Sequence, residues 1–185
     1  MAIVETWWGS TDYQNPGNLK IELGPTGYSL QGNLIHQSPT VITAKYFIDA
    51  QRNNFGRTGC VSQPVALFSG SLRARTASSL LGDGDPRTTH KHTLRQRIYL
   101  ANKLVTQSEC EFVIADVKGD NKEQTIVLDA LAFDPCTFSI VPGVELRIEL
   151  AVALDPWYHK TQLGGCSYQA LLQLPQWGLI HGVNA

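Results

Sequence analysis

Val144-Glu145-Leu146-Arg147-Ile148-Glu149-Leu150-Ala151-Val152-Ala153-Leu154 is the stretch that decides the fold. Val144, Leu146, Ile148, Leu150, Val152 and Leu154 alternate with Glu145, Arg147, Glu149, Ala151 and Ala153. A period of two sends successive side chains to opposite faces of a pleated strand. Here one face is continuous hydrocarbon and the other carries charge. The stretch therefore belongs to a sheet with one dry and one wet side, the habit of antiparallel sheets. Pro142-Gly143 starts it and Asp155-Pro156 ends it, as turn residues do.

The same pattern extends outward. Residues 111–117 and 124–133 flank Lys118-Gly119-Asp120-Asn121-Lys122, a polar turn in which Gly and Asn tolerate positive φ. That arrangement predicts a β-hairpin. Further strands are expected at residues 18–23, 28–35, 41–48 and 65–75, with a turn at Gly24-Pro25-Thr26-Gly27. Pro39 and Pro64 break or start strands at sheet edges. Residues 93–105 fit two periods. Leu94, Ile98, Ala101 and Val105 have helical spacing, whereas Leu94, Gln96, Ile98 and Leu100 share a strand face. The β-rich surroundings favour the strand. Residues 78–89 read as the main loop. Seven or eight short strands without a long helix predict an all-β fold, a sandwich, jelly roll or barrel, of which we expect an antiparallel β-sandwich that could be jelly-roll-like. We read a single β domain over residues 1–185. It comprises an N-terminal arm (1–17), a β core (18–160) and an uncharged C-terminal arm (161–185).

Composition narrows the function classes. Of 185 residues, 43% are apolar and 17% charged, against the usual charged share of about 25%. Disordered chains and coiled coils have other compositions. The net charge of −1 gives no global case for binding nucleic acid or an anionic membrane. No stretch approaches the roughly 18 apolar residues of a membrane-spanning helix. Residues 1–10 carry Glu5, Trp7 and Trp8 and lack a basic region followed by an apolar one. Cytoplasmic synthesis without a secretory signal is the expectation. Cys60, Cys110, Cys136 and Cys166 form no CxxC pair, and their oxidation state is open.

The net charge conceals blocks. Arg73, Arg75, Arg87, Lys91, Arg95, Arg97 and Lys103 face only Asp83 and Asp85 within residues 73–103. Residues 109–155 hold ten acidic groups, Glu145 and Glu149 among them, and three basic ones. Two outcomes are open. Neighbouring strands of one chain could neutralise each other. Alternatively, the basic face of one copy could meet the acidic face of the next and build rings or tubes. Phosphate binding by the basic block is a weaker expectation, since Tyr99 is its sole aromatic residue. Residues 161–185 contain no Asp, Glu, Lys or Arg. Apolar ends must be held down by their own core or by a neighbour. Trp7, Trp8 and Trp177 are candidate interface anchors.

Candidate chemistry centres on Gly84-Asp85-Pro86-Arg87-Thr88-Thr89-His90-Lys91-His92. Histidines at i and i+2 project to one side of a strand, and imidazole suits transition metals. The segment resembles the first metal motif of the cupin family, in which a glycine, five residues and His-x-His precede a carboxylate ligand. Gln96 stands at the carboxylate position and Lys103 at the closing glycine. Pro175-Gln176-Trp177-Gly178-Leu179-Ile180-His181-Gly182-Val183-Asn184 is loosely similar to the second motif, with two spacings off by one. The resemblance implies a transition metal ion held by His90, His92 and His181. Asp83 and Asp85 around Gly84 read as a plain turn rather than a calcium loop. His36 and His159 are isolated. No G-x-S-x-G elbow, P-loop or G-x-G-x-x-G occurs. Trp157-Tyr158 beside Asp155 could stack a sugar ring or plug the end of the sandwich.

The combined expectation is a non-enzymatic, self-assembling structural protein without cofactor. Its partners would be copies of itself or other subunits, as in a capsid, decoration or tail component of a virus or phage particle. A cupin-like metal enzyme and a lectin-like carbohydrate-binding module are the alternatives.

Overall fold

The structure is a computed structural model. It describes residues 2–4, 8–14, 18–24, 27–34, 40–50, 60–62, 65–76, 86–128, 130–139, 141–159, 165–173 and 179–182. Every regular element among them is a strand. In chain order these are β1 (Ala2–Val4), β2 (Trp8–Gln14), β3 (Asn18–Gly24), β4 (Gly27–Leu34) and β5 (Thr40–Ile48). Next come β6 (Cys60–Ser62), β7 (Val65–Arg75), β8 (Arg87–Leu100), β9 (Lys103–Lys118) and β10 (Glu123–Val127). The last are β11 (Ala130–Ala132), β12 (Cys136–Phe138), β13 (Leu146–His159), β14 (Gly165–Gln173) and β15 (Leu179–Gly182). Among the described residues no helix is long and apolar enough to cross a membrane.

The protein is an all-β sandwich with antiparallel sheets. A five-stranded sheet has the order β2-β5-β13-β8-β9. A six-stranded sheet has the order β10-β7-β14-β4-β3, with β11 also on β7, and a smaller sheet runs β1-β15-β6-β12. Leu72 and Ala74 of β7 pack with Ile42 of β5, Leu94 and Ile98 of β8, and Leu150 and Val152 of β13 in one buried core. The Thr88 hydroxyl of β8 donates to the Arg75 carbonyl of β7 at 2.9 Å, tying the two sheets at one point.

The alternating stretch is the middle strand of its sheet. Leu146, Ile148, Leu150, Val152 and Leu154 are all buried. The strand begins at Leu146, two residues after the expected start. It also runs through Asp155-Pro156 to His159 instead of stopping there. Pairing with β5 ends at Leu154 opposite Thr40, whereas pairing with β8 continues to His159 opposite Arg87. Past Leu154 the ladder asks for hydrogen bonds on one flank, where a proline without an N–H can sit.

The expected hairpin of residues 111–117 with 124–133 does not form. The polar turn is present, with Gly119 at φ 95° and Asn121 at φ 50°, but it joins different sheets. β9 pairs with β8, while β10 and β11 pair with β7. Thr76, just past β7, explains the crossing. Its N–H donates to the Lys122 carbonyl at 2.8 Å, its hydroxyl donates to the Gly119 carbonyl, and the Lys122 N–H donates to that hydroxyl at 3.0 Å. The turn is thereby fastened to β7, and the chain leaves it alongside that strand.

Residues 93–105 are strand, turn and strand. Ala101 (φ 46°) and Asn102 (φ 64°) form a two-residue loop between β8 and β9. Positive φ at both positions gives the primed turn that matches strand twist. The helical spacing arose because the segment spans a hairpin and a β-bulge, where the register slips between Ile98 and Tyr99. Residues 87–89 of the expected loop belong to β8. The segments expected as arms are built into this chain's own sheets. β1 pairs with β15, β2 with β5, and β14 lies between β7 and β4. Trp7, Pro25, Thr26, His36, Pro39, Pro64, residues 77–85 (with Asp83 and Asp85) and Trp177 lie outside the described residues.

Candidate functional site

β8 separates chemistry by parity. Thr88, His90, His92, Leu94, Gln96 and Ile98 are buried, whereas Arg87, Lys91, Thr93, Arg95, Arg97 and Tyr99 lie on the outer face. The reason is the cost of removing a guanidinium or ammonium from water without a partner. On the outer face the neighbouring strand supplies partners. Arg87 makes a bidentate pair with Asp116, Nε–Oδ1 2.6 Å and Nη2–Oδ2 2.8 Å. Lys91 meets Glu111 at 2.7 Å and Arg95 meets Glu109 at 3.3 Å. Across the sandwich, Arg73 of β7 meets Glu123 of β10 at 2.6 Å, and Arg75 lies opposite Glu123 in that ladder. The basic and acidic blocks are thus adjacent strands of one chain, whose charges meet each other. The Arg87 guanidinium holds the Asp116 carboxyl below its ordinary value, through the hydrogen bonds first.

An open cleft of about 360 Å³ lies on this outer face, lined by Arg87, Thr89, Lys91 and Asp155. Two strands build it. In the β8–β13 ladder Asp155 is opposite Lys91, Trp157 opposite Thr89 and His159 opposite Arg87. Thr89 Oγ1 is 3.4 Å from Asp116 Oδ1. On the far side of β8 the register with β9 slips between His90 and Lys91, so β9 bulges beside the cleft. Bulges re-aim side chains and recur next to binding sites. The lining offers a carboxylate acceptor, a hydroxyl, an ammonium and the unused donors of a guanidinium, four groups that hydrogen-bond polar ligands.

The paired histidines face the other way. His90 and His92 project to one side of β8, as expected, but that side is the core, and both are 0% exposed. Their rings meet edge to face with centroids 5.2 Å apart. Burial pushes His92 down to about 3. It holds His90 well below its ordinary value, with the charge of His92 as a second cause. Gln96, at the position of the cupin carboxylate, is also buried and donates its amide to the Asp134 carbonyl at 2.9 Å. His181 is on β15 of the smaller sheet, opposite Ala2 and Val61. Among the described residues no group of three or more His, Cys, Asp or Glu is placed to hold a metal ion. His90 and His92 belong to the five-stranded sheet and His181 to the smaller one.

The other singled-out residues scatter. Glu145 accepts from the Ala101 N–H at 3.0 Å through its carbonyl. Glu149 meets Arg147 at 3.4 Å and lies opposite Arg97. Trp8 opens β2, opposite Phe47. Cys110 and Cys136 are free thiols, and Cys136 Sγ contacts Ser108 Oγ at 3.3 Å. Sequence reasoning marked Asp155 as a possible sugar contact and counted Arg87 and Lys91 only as charge. It missed Thr89, and no spacing along the chain signals that these four meet.

No family model matches the chain, and no curated protein matches it. Among solved structures it is similar to TmCBM61, a carbohydrate-binding module in complex with β-1,4-galactotriose. The likeness has 7% identity and a TM-score of 0.31, over 90% of this chain and 88% of that one. It is also similar to the family 11 carbohydrate-binding module of the cellulosomal cellulase Lic26A-Cel5E of Clostridium thermocellum. There the identity is 11% and the TM-score 0.13, over 82% of this chain and 88% of that one. Neither likeness bears on what this chain binds.

Proposed function

We propose that this protein is a carbohydrate-binding module whose site is the cleft on the outer face of β8 and β13. The observation that carries this reading is the convergence of Arg87, Thr89, Lys91 and Asp155 around about 360 Å³ of open space. A vicinal diol offers a donor and an acceptor side by side. One hydroxyl donates to the Asp155 carboxylate, and its neighbour accepts from the Lys91 ammonium. Hydrogen bonds to charged groups of this kind are the stronger class. Arg87 spends Nε and Nη2 on Asp116, which orients the guanidinium and leaves the Nη1 donors for the ligand.

The test is affinity electrophoresis and calorimetry against β-glucan, xylan, galactan and mannan. One or more should bind, and Asp155→Ala should weaken that binding by about tenfold, the equivalent of one charged hydrogen bond, with an unchanged melting temperature. Absence of binding to all four would sink the proposal.

A second reading, assembly of copies into a larger particle, is favoured by one observation. β9 and β10 are outermost strands of their sheets, and Val113 and Val127 on them are 59% and 73% exposed. Outer strands present unpaired backbone groups that template pairing with another chain. Opposite charge between copies supplies less of the drive than composition suggested, because those charges already meet within one chain. Light scattering that gives a strict monomer at high concentration would exclude this reading.

A further inference from the structure

The outer face of the five-stranded sheet holds a second unusual constellation at the end remote from the cleft. Arg147 of β13 lies opposite Tyr99 of β8 on one flank and Phe47 of β5 on the other. Its guanidinium carbon sits 4.2 Å from the centroid of the Tyr99 ring. One Nη donates to Asn102 Oδ1 at 3.0 Å, and Nε is 3.4 Å from Glu149 Oε1. The cation is therefore clamped from three directions, with the ring fixed against it. Leu104, opposite Tyr99 on β9, is 43% exposed. The wet face of an antiparallel sheet ordinarily carries polar residues. Here Phe47 of β5, Tyr99 of β8 and Leu104 of β9 stand at one level, with Arg147 of β13 between Phe47 and Tyr99.

Both sites lie on one face of β13. Arg147 and Asp155 are eight residues apart on that strand, or about 26 Å at strand rise. Between them β13 presents to this face only Glu149, held by Arg147, and the small Ala151 and Ala153. The hydrogen bonds that β7 and Asp134 make to this sheet reach it through Thr88, Gln96 and Ser108 on the opposite, core face.

We propose that Phe47, Arg147 and Tyr99 form a second carbohydrate subsite, so that the ligand is an extended oligosaccharide lying along β13 from Tyr99 to Asp155. This rests on the carbohydrate reading of the cleft and extends it to a chain rather than a single sugar. In this proposal the C–H face of a pyranose meets Phe47 and the face of the Tyr99 ring that Arg147 does not cover. The clamped guanidinium offers its remaining donors to ring hydroxyls. A cleft at one end and a platform at the other select for length. A disaccharide reaches one site, and a longer fragment reaches both without a second loss of rotational and translational freedom.

The experiment is calorimetry with di- to hexasaccharides of β-1,4-linked glucose, xylose, galactose and mannose. The expected result is affinity that rises about tenfold or more between disaccharide and hexasaccharide. Tyr99→Ala should abolish that rise and leave disaccharide affinity unchanged, and Phe47→Ala should reduce the rise. Tyr99→Phe, which keeps the ring, should preserve it and guards against a folding defect in the alanine variant. Asp155→Ala should weaken all lengths alike. A hexasaccharide bound no more tightly than a disaccharide, or a rise that survives Tyr99→Ala, overturns the extended-ligand proposal and leaves the cleft standing. Absence of binding at every length overturns both.

Discussion

The two faces of β8 are made from one alternating sequence and behave as different materials. The inner face is closed. Leu94, Ile98, His90, His92 and Gln96 are all 0% exposed. On the outer face Arg87, Lys91 and Arg95 are each answered by a carboxylate on β9, and Arg87 and Lys91 line a cleft with Asp155 of β13. The difference teaches that polarity does not decide which side of a strand reaches solvent. Two imidazoles, the most reactive groups on the strand, are on the closed side. The open side holds residues whose ordinary role is to keep a sheet soluble.

The largest effect that can break this comparison lies on the inner face. Leu94→Ala removes a fully buried side chain, and should destabilise the protein by about 2–5 kcal/mol, from lost burial and a residual cavity. Urea unfolding measures it. A cost under about 1 kcal/mol would mean that the core is looser than its burial indicates.

The histidine pair gives the next effect. In the unfolded chain each imidazole titrates near about 6.5, whereas burial keeps both neutral in the fold well below that value. Below about pH 6.5 the unfolded state therefore binds protons that the folded state does not, and stability falls as pH falls. The expected slope is about 1.4 kcal/mol per pH unit for each imidazole, flattening for His92 only near its folded value. Urea midpoints at pH 7.5, 6 and 5 measure the slope, and His92→Leu should reduce it. A slope unchanged in that variant would assign the acid sensitivity to other groups.

The smallest effect belongs to the outer face. A double-mutant cycle on Arg95 and Glu109, both partly exposed and 3.3 Å apart, should give a coupling of at most about 1 kcal/mol that shrinks in high salt. A larger coupling would show that the outer face carries structural weight as well.

Legibility in the sequence followed the range of the interaction. β13 was readable because strict alternation is local, and so were the strands at 65–75 and 41–48, which match β7 and β5 closely. The fate of the turn after β9 was not. Gly119 and Asn121 announce a reversal, but the fastening to Thr76 depends on residues 43 and 46 positions away. His-x-His told that two rings share a side, while the neighbours that decide which side is wet are on other strands. The cleft was half readable. Asp155 stood beside aromatic residues, but its meeting with Thr89 and Lys91 exists only once β13 and β8 are in register.

That register also sets an order of events during synthesis. β8 and β9 are joined by a two-residue loop and can pair as soon as both have left the ribosome. β13 must then slot between β8 and β5, which begins a hundred and six residues before β13 does. Until β13 has been made, β5 and β8 each expose the flank that β13 fills among the described strands. The growing chain therefore spends much of its translation with two open strand edges, the state in which β proteins lean most on chaperones.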